Sequence, residues 1–318
     1  MNTFKRMVAM AAATGTTLVI APAAPAAVPT VSTGGASKLT ADSVRLHASV
    51  NPRGRPTSYY FEYGTTRRYG SRTGDASAGN GTKGRAVIAD VGGLKPNTTY
   101  HYRVVASNPD GVTSGSDRSF KTRKQPLGLA LNAAPNPVVF GAGSTIAGQL
   151  TGTGNANQQI VLQQRAFPFT AGFANVGNAI VTDANGNFTF PALALPATTQ
   201  VRVQTSDKKV TSSVATVTVA VKVSTSARTR VKRGRLLRFS GSIRPARDGA
   251  QYAIQKLGRS GQWVTVAGGI TRKGGDGFST YSRRIHVRRG GSYRVFVRIV
   301  DGNYTSGIGR TVRVRATK

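Results

Sequence analysis

After residue 26 the chain alternates apolar and polar positions in short runs and sustains no helical period, which predicts β-strands throughout. Val44, Leu46, Ala48 and Val50 take one face of a strand that stops at Asn51-Pro52, a turn signal. Tyr59, Phe61 and Tyr63 alternate against Tyr60 and Glu62 in a second strand that ends at Gly64. Leu94, Pro96, Thr98 and Tyr100 lead by steps of two into Tyr102, Val104 and Ala106. A proline cannot donate a ladder hydrogen bond, so Pro96 marks a corner entering a strand that is buried on one face. Tyr100, six residues after Leu94, is placed to turn its hydroxyl back onto that corner while its ring enters the core.

Leu94, Pro96, Thr98, Tyr100, Tyr102, Val104 and Ala106, followed by Asn108, Gly111 and a last strand through Phe120 and Thr122, resemble the fibronectin type III family. The resemblance covers about residues 39–122 and implies a β-sandwich with Leu94, Pro96 and Tyr100 as its structural corner. The tryptophan usual in that family near Val50 is missing, so tyrosines are expected to fill the core. The family's integrin-binding use depends on Arg-Gly-Asp, which the chain lacks; Arg72-Thr73-Gly74-Asp75 is only similar. The fold is carried over, and no ligand.

Two later stretches resemble each other at an offset of 90 to 94 residues. Ile146 to Leu150 matches Phe239 to Ile243, Gly186-Asn187-Phe188 matches Asp276-Gly277-Phe278, and Val201-Arg202-Val203 matches Tyr293-Arg294-Val295. A period of that length is a duplicated domain, not a short solenoid repeat. Both copies resemble bacterial immunoglobulin-like repeats. The fold class expected is therefore all-β, with three β-sandwich domains in series and no helical domain. The boundaries expected are a signal peptide at 1–26, a flexible lead-in at 27–38, and sandwiches at 39–122, 127–222 and 223–318.

The signal-peptide reading rests on Lys5 and Arg6, the apolar stretch Met7 to Ile20 and the small residues Ala24-Pro25-Ala26, which place cleavage near Ala26. Export follows as an expectation, with an extracellular or cell-wall-associated destination and no membrane span after cleavage. Of the 318 residues, 39% are hydrophobic and none is cysteine, so neither disulfides nor thiolate chemistry is available. Arginine outnumbers lysine 31 to 13, which points to a bacterial product.

Charge separates the domains more sharply than pattern does. Residues 28–124 carry 15 lysines and arginines against 6 acids, residues 125–222 carry 5 against 2, and residues 223–318 carry 22 against 3. The third domain, at +19, is the candidate for binding a polyanion. There Tyr293, Val295, Val297 and Ile299 alternate inward, which turns Arg294, Phe296 and Arg298 outward; Val312 and Val314 turn Arg313 and Arg315 outward. If the two strands are adjacent, these arginines surround an exposed phenylalanine and form an anionic-ligand site, Arg294, Phe296, Arg298, Arg313 and Arg315. Guanidinium groups pair bidentately with phosphate or carboxylate, and an aromatic ring stacks on a sugar or base. The alternative is a solvated basic face that keeps the protein soluble.

Other chemistry finds little support. His47, His101 and His286 fall on outward positions without evident partners, and zinc needs three or four converging ligands, so no metal and no cofactor is expected. Glu62 is the only glutamate and no pair of carboxylates stands out, so the chain is not expected to be an enzyme. Asp183 to Asn187 reads as a hairpin turn and not a calcium loop. Trp263, the lone tryptophan, is a sugar-stacking candidate if it faces solvent, and otherwise folds over the core edge. The partner expected is an anionic cell-wall polymer or acidic polysaccharide held by the third domain, with the other two as spacers or adhesive modules. Alternatives are a protein partner on a sheet edge and, less favoured, extracellular nucleic acid.

Overall fold

The computed structural model describes residues 27–318; the signal-peptide expectation for 1–26 lies outside the described residues. All regular structure among them is β-strand, in agreement with the all-β expectation, and none of them forms a helix able to cross a membrane. The chain divides into two compact units between Lys124 and Gln125.

The first unit is a sandwich. One sheet orders Thr30–Ser37, Val44–Asn51 and Arg85–Val91; the other centres on Thr57–Gly64 paired with Thr99–Asn108. The inward positions of the alternating runs meet in its core, where Leu46, Val50, Phe61 and Val104 are fully buried and Tyr102 nearly so. Residues 30–37, expected as part of a flexible lead-in, are instead the first strand, paired antiparallel with Val44–Asn51 and carrying a bulge between Thr33 and Ala36. The serine, glycine and threonine that looked like linker composition serve a close approach. A Cβ at Gly34 would come within 2.7 Å of the His47 carbonyl oxygen.

The second unit holds both copies of the duplicated domain. In the first copy a sheet of Gly128–Ala134, Gly143–Thr151 and Asn187–Ala194 faces one ordered Ala174–Val181, Gln159–Ala166, Thr199–Thr205 and Ala215–Val217. In the second copy Lys222–Val223, Leu236–Arg244, Phe278–His286 and Arg272–Gly275 face a sheet that runs Arg230–Lys232, Val312–Thr317, Gly291–Val297, Gln251–Leu257 and Trp263–Ile270. Both copies place a glycine mid-strand where a side chain cannot fit. A Cβ at Gly148 would overlap the carbonyl oxygen of Ala130, and one at Gly241 that of Ser224.

The two copies share one continuous hydrophobic core, from Val138 through Val219 and Val221 to Val314. The connecting segment passes beside the loop after Ile299. Thr305 N donates to Val219 O at 2.8 Å, Val221 N to Thr305 O at 3.1 Å, and Thr198 N to Asn303 O at 2.9 Å. Tyr304 plugs the joint: it is 9% exposed, its hydroxyl donates to Pro196 O at 2.6 Å, and the Arg247 guanidinium lies 4.2 Å from its ring centroid. The two copies, expected only as sandwiches in series, are thus joined through a shared core.

Candidate functional site

The third sandwich places the five residues singled out in the sequence on one outer sheet face, but not in one cluster. Tyr293, Val295 and Val297 are buried, so Arg294 and Phe296 point outward and are half-buried, and Arg298 follows, exposed, beyond the strand end. Phe296 lies between Ala253 on one neighbouring strand and Ile308 on the other. Arg294 and Arg298 flank it along its own strand. Arg313 and Arg315 do not, because Val312–Thr317 pairs with Gly291 to Tyr293 and sets Arg313 opposite Ser292, about 13 Å along the strand from Phe296. The expected ring of four arginines around an exposed phenylalanine is corrected on this point: the short strand Gly307–Ile308 takes the place beside Phe296.

Arg313 and Arg315 instead meet Arg230, which sequence reasoning passed over. Arg230–Lys232 joins the sheet edge in parallel, with Arg230 opposite Arg315, and Thr229, Arg230, Arg313 and Arg315 line a pocket of about 250 Å³. Arg294 is engaged elsewhere. Its Nε donates to Gln255 Oε1 at 2.8 Å and its guanidinium stacks 4.3 Å from the Trp263 ring centroid. Trp263 is therefore on the outer face, half-buried, with one side of its ring covered by a cation.

The same cluster recurs in all three sandwiches. In the nearly neutral copy Arg202 Nε donates to Gln163 Oε1 at 2.8 Å and lies 4.2 Å from the Phe173 centroid. In the first sandwich Arg103 Nε donates to Glu62 Oε2 at 2.7 Å and lies 4.9 Å from the Tyr69 centroid. Each pair is directly opposite across the two central strands of its sheet. Only in the first does a carboxylate neutralise the arginine.

A second basic surface lies at the open side of the third sandwich. Trp263–Ile270 is the edge strand of its sheet, and Phe278–His286 has no outer neighbour beyond Thr280, where Arg272–Gly275 stops pairing with it. Between these edges runs a groove of two confluent hollows, about 620 Å³ and 700 Å³, that meet at Arg283. Arg272, Arg283, Arg284, Arg288 and Arg289 line it, with Lys256 and Arg238, and no aspartate or glutamate does. Tyr252, Tyr281 and Tyr293 form its floor and are nearly fully buried. Burial pushes the Tyr281 phenol up to about 12 and raises Tyr252 and Tyr293 as well, so the floor stays neutral beneath a rim that carries cationic and no acidic side chains. The sequence signal was the doublet Arg283-Arg284, since in a strand a doublet loads both faces, together with Arg288-Arg289 in the bend that follows the strand. Arg283 is in phase with buried Tyr281 and Ile285 yet exposed, because the sandwich opens there.

The histidines have partners after all. His47 Nε2 lies 2.6 Å from Ser37 Oγ, His101 Nδ1 lies 2.9 Å from an Asp117 oxygen, and His286 Nδ1 donates to Gly234 O at 3.0 Å. Among the described residues no group of three or more potential metal ligands converges. Asp183 accepts from the backbone of Asn185 and Asn187, each at 2.8 Å, and so closes its own turn.

No protein-family model and no curated protein matches the chain. Among solved structures it is similar to the FN1–FN3 domains of chicken CNTN1, at 15% identity over 90% of this chain and 99% of that one, with a TM-score of 0.31. It is also similar to a tetra-tandem repeat in the extending region of a large adhesion protein, at 14% identity over 90% and 74%, TM-score 0.29. The sensor domain of the anti-sigma factor RsgI4 of Pseudobacteroides cellulosolvens matches at 22% identity over 31% of this chain and 98% of that one, TM-score 0.26. Likeness at this level carries no functional argument, and the sandwich architecture rests on this chain's own strand pairing.

Proposed function

We propose that the chain is a non-enzymatic, exported modular protein whose third sandwich binds an anionic cell-wall polymer or acidic polysaccharide, the other sandwiches acting as spacer or adhesive modules. One observation carries this reading. Of the 22 lysines and arginines in residues 223–318, Arg247 alone has an ion-pair partner among the described residues, Asp301 at 2.9 Å. A surface that needed charge only for solubility would gain from interspersing acids. This one repels itself and is relieved by a polyanion that displaces its counterions.

The test is retention of the full chain on purified wall polymer across a salt series from about 50 to 500 mM, where counterion release predicts a steep fall in affinity. Retention that ignores salt would move the search to a protein partner on an exposed sheet edge. Nucleic acid ranks lower because the aromatic rings of the basic groove are buried and offer no base a stacking platform.

A further inference from the structure

We infer that the ligand of the third sandwich is a linear polymer of phosphodiesters, seated in the groove between Trp263–Ile270 and Phe278–His286 and not on the Arg294 face; the inference rests on the polyanion reading above. Three observations select the groove. It is concave and long, since the wall that runs from Thr280 to His286 spans about 20 Å. It gathers Arg272, Arg283, Arg284, Arg288 and Arg289, none of whose side chains has a hydrogen-bond or ion-pair partner among the described residues. The outer face, by contrast, gathers only Arg230, Arg313 and Arg315, in a hollow of about 250 Å³, and ties Arg294 to Gln255 and Trp263.

The groove's chemistry selects the ligand. Arginine and lysine only donate, and the lining contains no aspartate, glutamate, asparagine or glutamine to accept from sugar hydroxyls. The serines and threonine present, Ser240, Ser282 and Thr280, sit at one end only. A polysaccharide recognised through its hydroxyls is poorly served by such a wall. A flexible chain with a charge on every unit is well served, because each guanidinium can take two phosphate oxygens. The apolar stretch of the wall, Val266, Ala267 and Ile270, accommodates a short aliphatic linker between phosphates.

The experiment compares two full-length variants of equal charge. The groove variant is Arg272→Ser, Arg283→Ser, Arg284→Ser and Arg288→Ser; the face variant is Arg230→Ser, Arg298→Ser, Arg313→Ser and Arg315→Ser. The probe is poly(glycerol phosphate), and hyaluronate serves as the carboxylated-sugar contrast. All eight positions lie outside the buried core, and thermal melts establish that both variants fold. The groove variant is expected to lose about 100-fold or more in affinity and about 3 from the log–log salt slope, at roughly 0.7 for each phosphate no longer neutralised along a single-stranded polyanion. The face variant is expected to lose less than about 5-fold. Equal losses in both variants would overturn the groove assignment while leaving the polyanion reading intact. Hyaluronate bound as tightly as the phosphate polymer would overturn the phosphate assignment. Failure of the unaltered protein to bind either polymer in a salt-dependent way would sink the parent reading itself.

Discussion

Arg294 and Gln255 face each other across the two central strands of the third sandwich, and Arg202 and Gln163 do the same 92 residues earlier with an equal 2.8 Å contact. An aromatic ring lies over each guanidinium, although one is Trp263 and the other Phe173. The duplication has kept the device while the charge around it diverged, which marks the cluster as a clasp on the sheet face and not as the source of specificity.

Replacing Arg294 with serine should therefore cost about 1–2 kcal/mol, from a stacked cation and a charged hydrogen bond at a half-exposed site. Lysine keeps the charge but not the planar fork, so Arg294→Lys should destabilise nearly as much while leaving polymer binding almost unchanged. Trp263 is the sole tryptophan, and its emission reports loss of the overlying cation directly. Unaltered emission and melting temperature in both variants would show the contact to be idle.

In the first sandwich, Tyr100 accepts a hydrogen bond from Lys95 N at 3.0 Å through its hydroxyl, and its ring stacks 5.6 Å from Phe120. Tyr100→Phe leaves that amide without its partner while preserving the packing. A loss of about 1–2 kcal/mol by denaturant titration is expected, confined to the transition of residues 27–124. A loss below about 0.3 kcal/mol would mean that the corner hydroxyl is replaced by water at no cost.

Tyr281 gives the third sandwich an alkaline limit. Its hydroxyl donates to Ser224 O at 2.7 Å, and burial holds its folded value at about 12 against about 10 in an unfolded chain. The folded state keeps its proton where the unfolded state has lost it. The contribution is complete below pH 10 and drains away as pH rises from 10 to 12, at most about 3 kcal/mol in all. Tyr281→Phe should flatten melting temperature against pH in that window, in part only, because burial raises Tyr252 and Tyr293 in the same direction. An unchanged slope would remove Tyr281 from the account.

Tyr304 joins the two copies of the second unit through Pro196 and Phe140, with Arg247 of its own copy stacked on its ring. Calorimetry of the full chain should show residues 125–318 melting in one transition. Tyr304→Ala should cost about 2–4 kcal/mol and split that transition in two. A single transition in the variant would mean that the strand-like contacts around Thr305 suffice alone.

Much of this architecture is legible along the chain because alternation survives burial. Val44 to Val50 and Tyr293 to Val297 sit in the phase their sequence predicts, and Gly148 and Gly241 fall at matching places in both copies. Residues 30–37 were not legible, since a strand of small polar residues held by close backbone approach has the composition of a linker. The joint was not legible either, because Asp301 to Ser306 reads as a turn and its packing partners lie about a hundred residues upstream. For the candidate site, alternation identified which arginines point out, but register decides which of them meet. Arg315 beside Arg230, and Arg283 in a core phase at an open edge, follow from pairings between distant strands.

The fused joint also has a mechanical meaning. A polymer held by the third sandwich transmits any pull into the second through backbone bonds at Val219, Val221 and Thr198 that lie side by side, with Tyr304 wedged among them. If the third sandwich holds a polymer, a tether at one end of this pair loads both copies together, and the nearly neutral copy is held by its neighbour without touching the ligand itself.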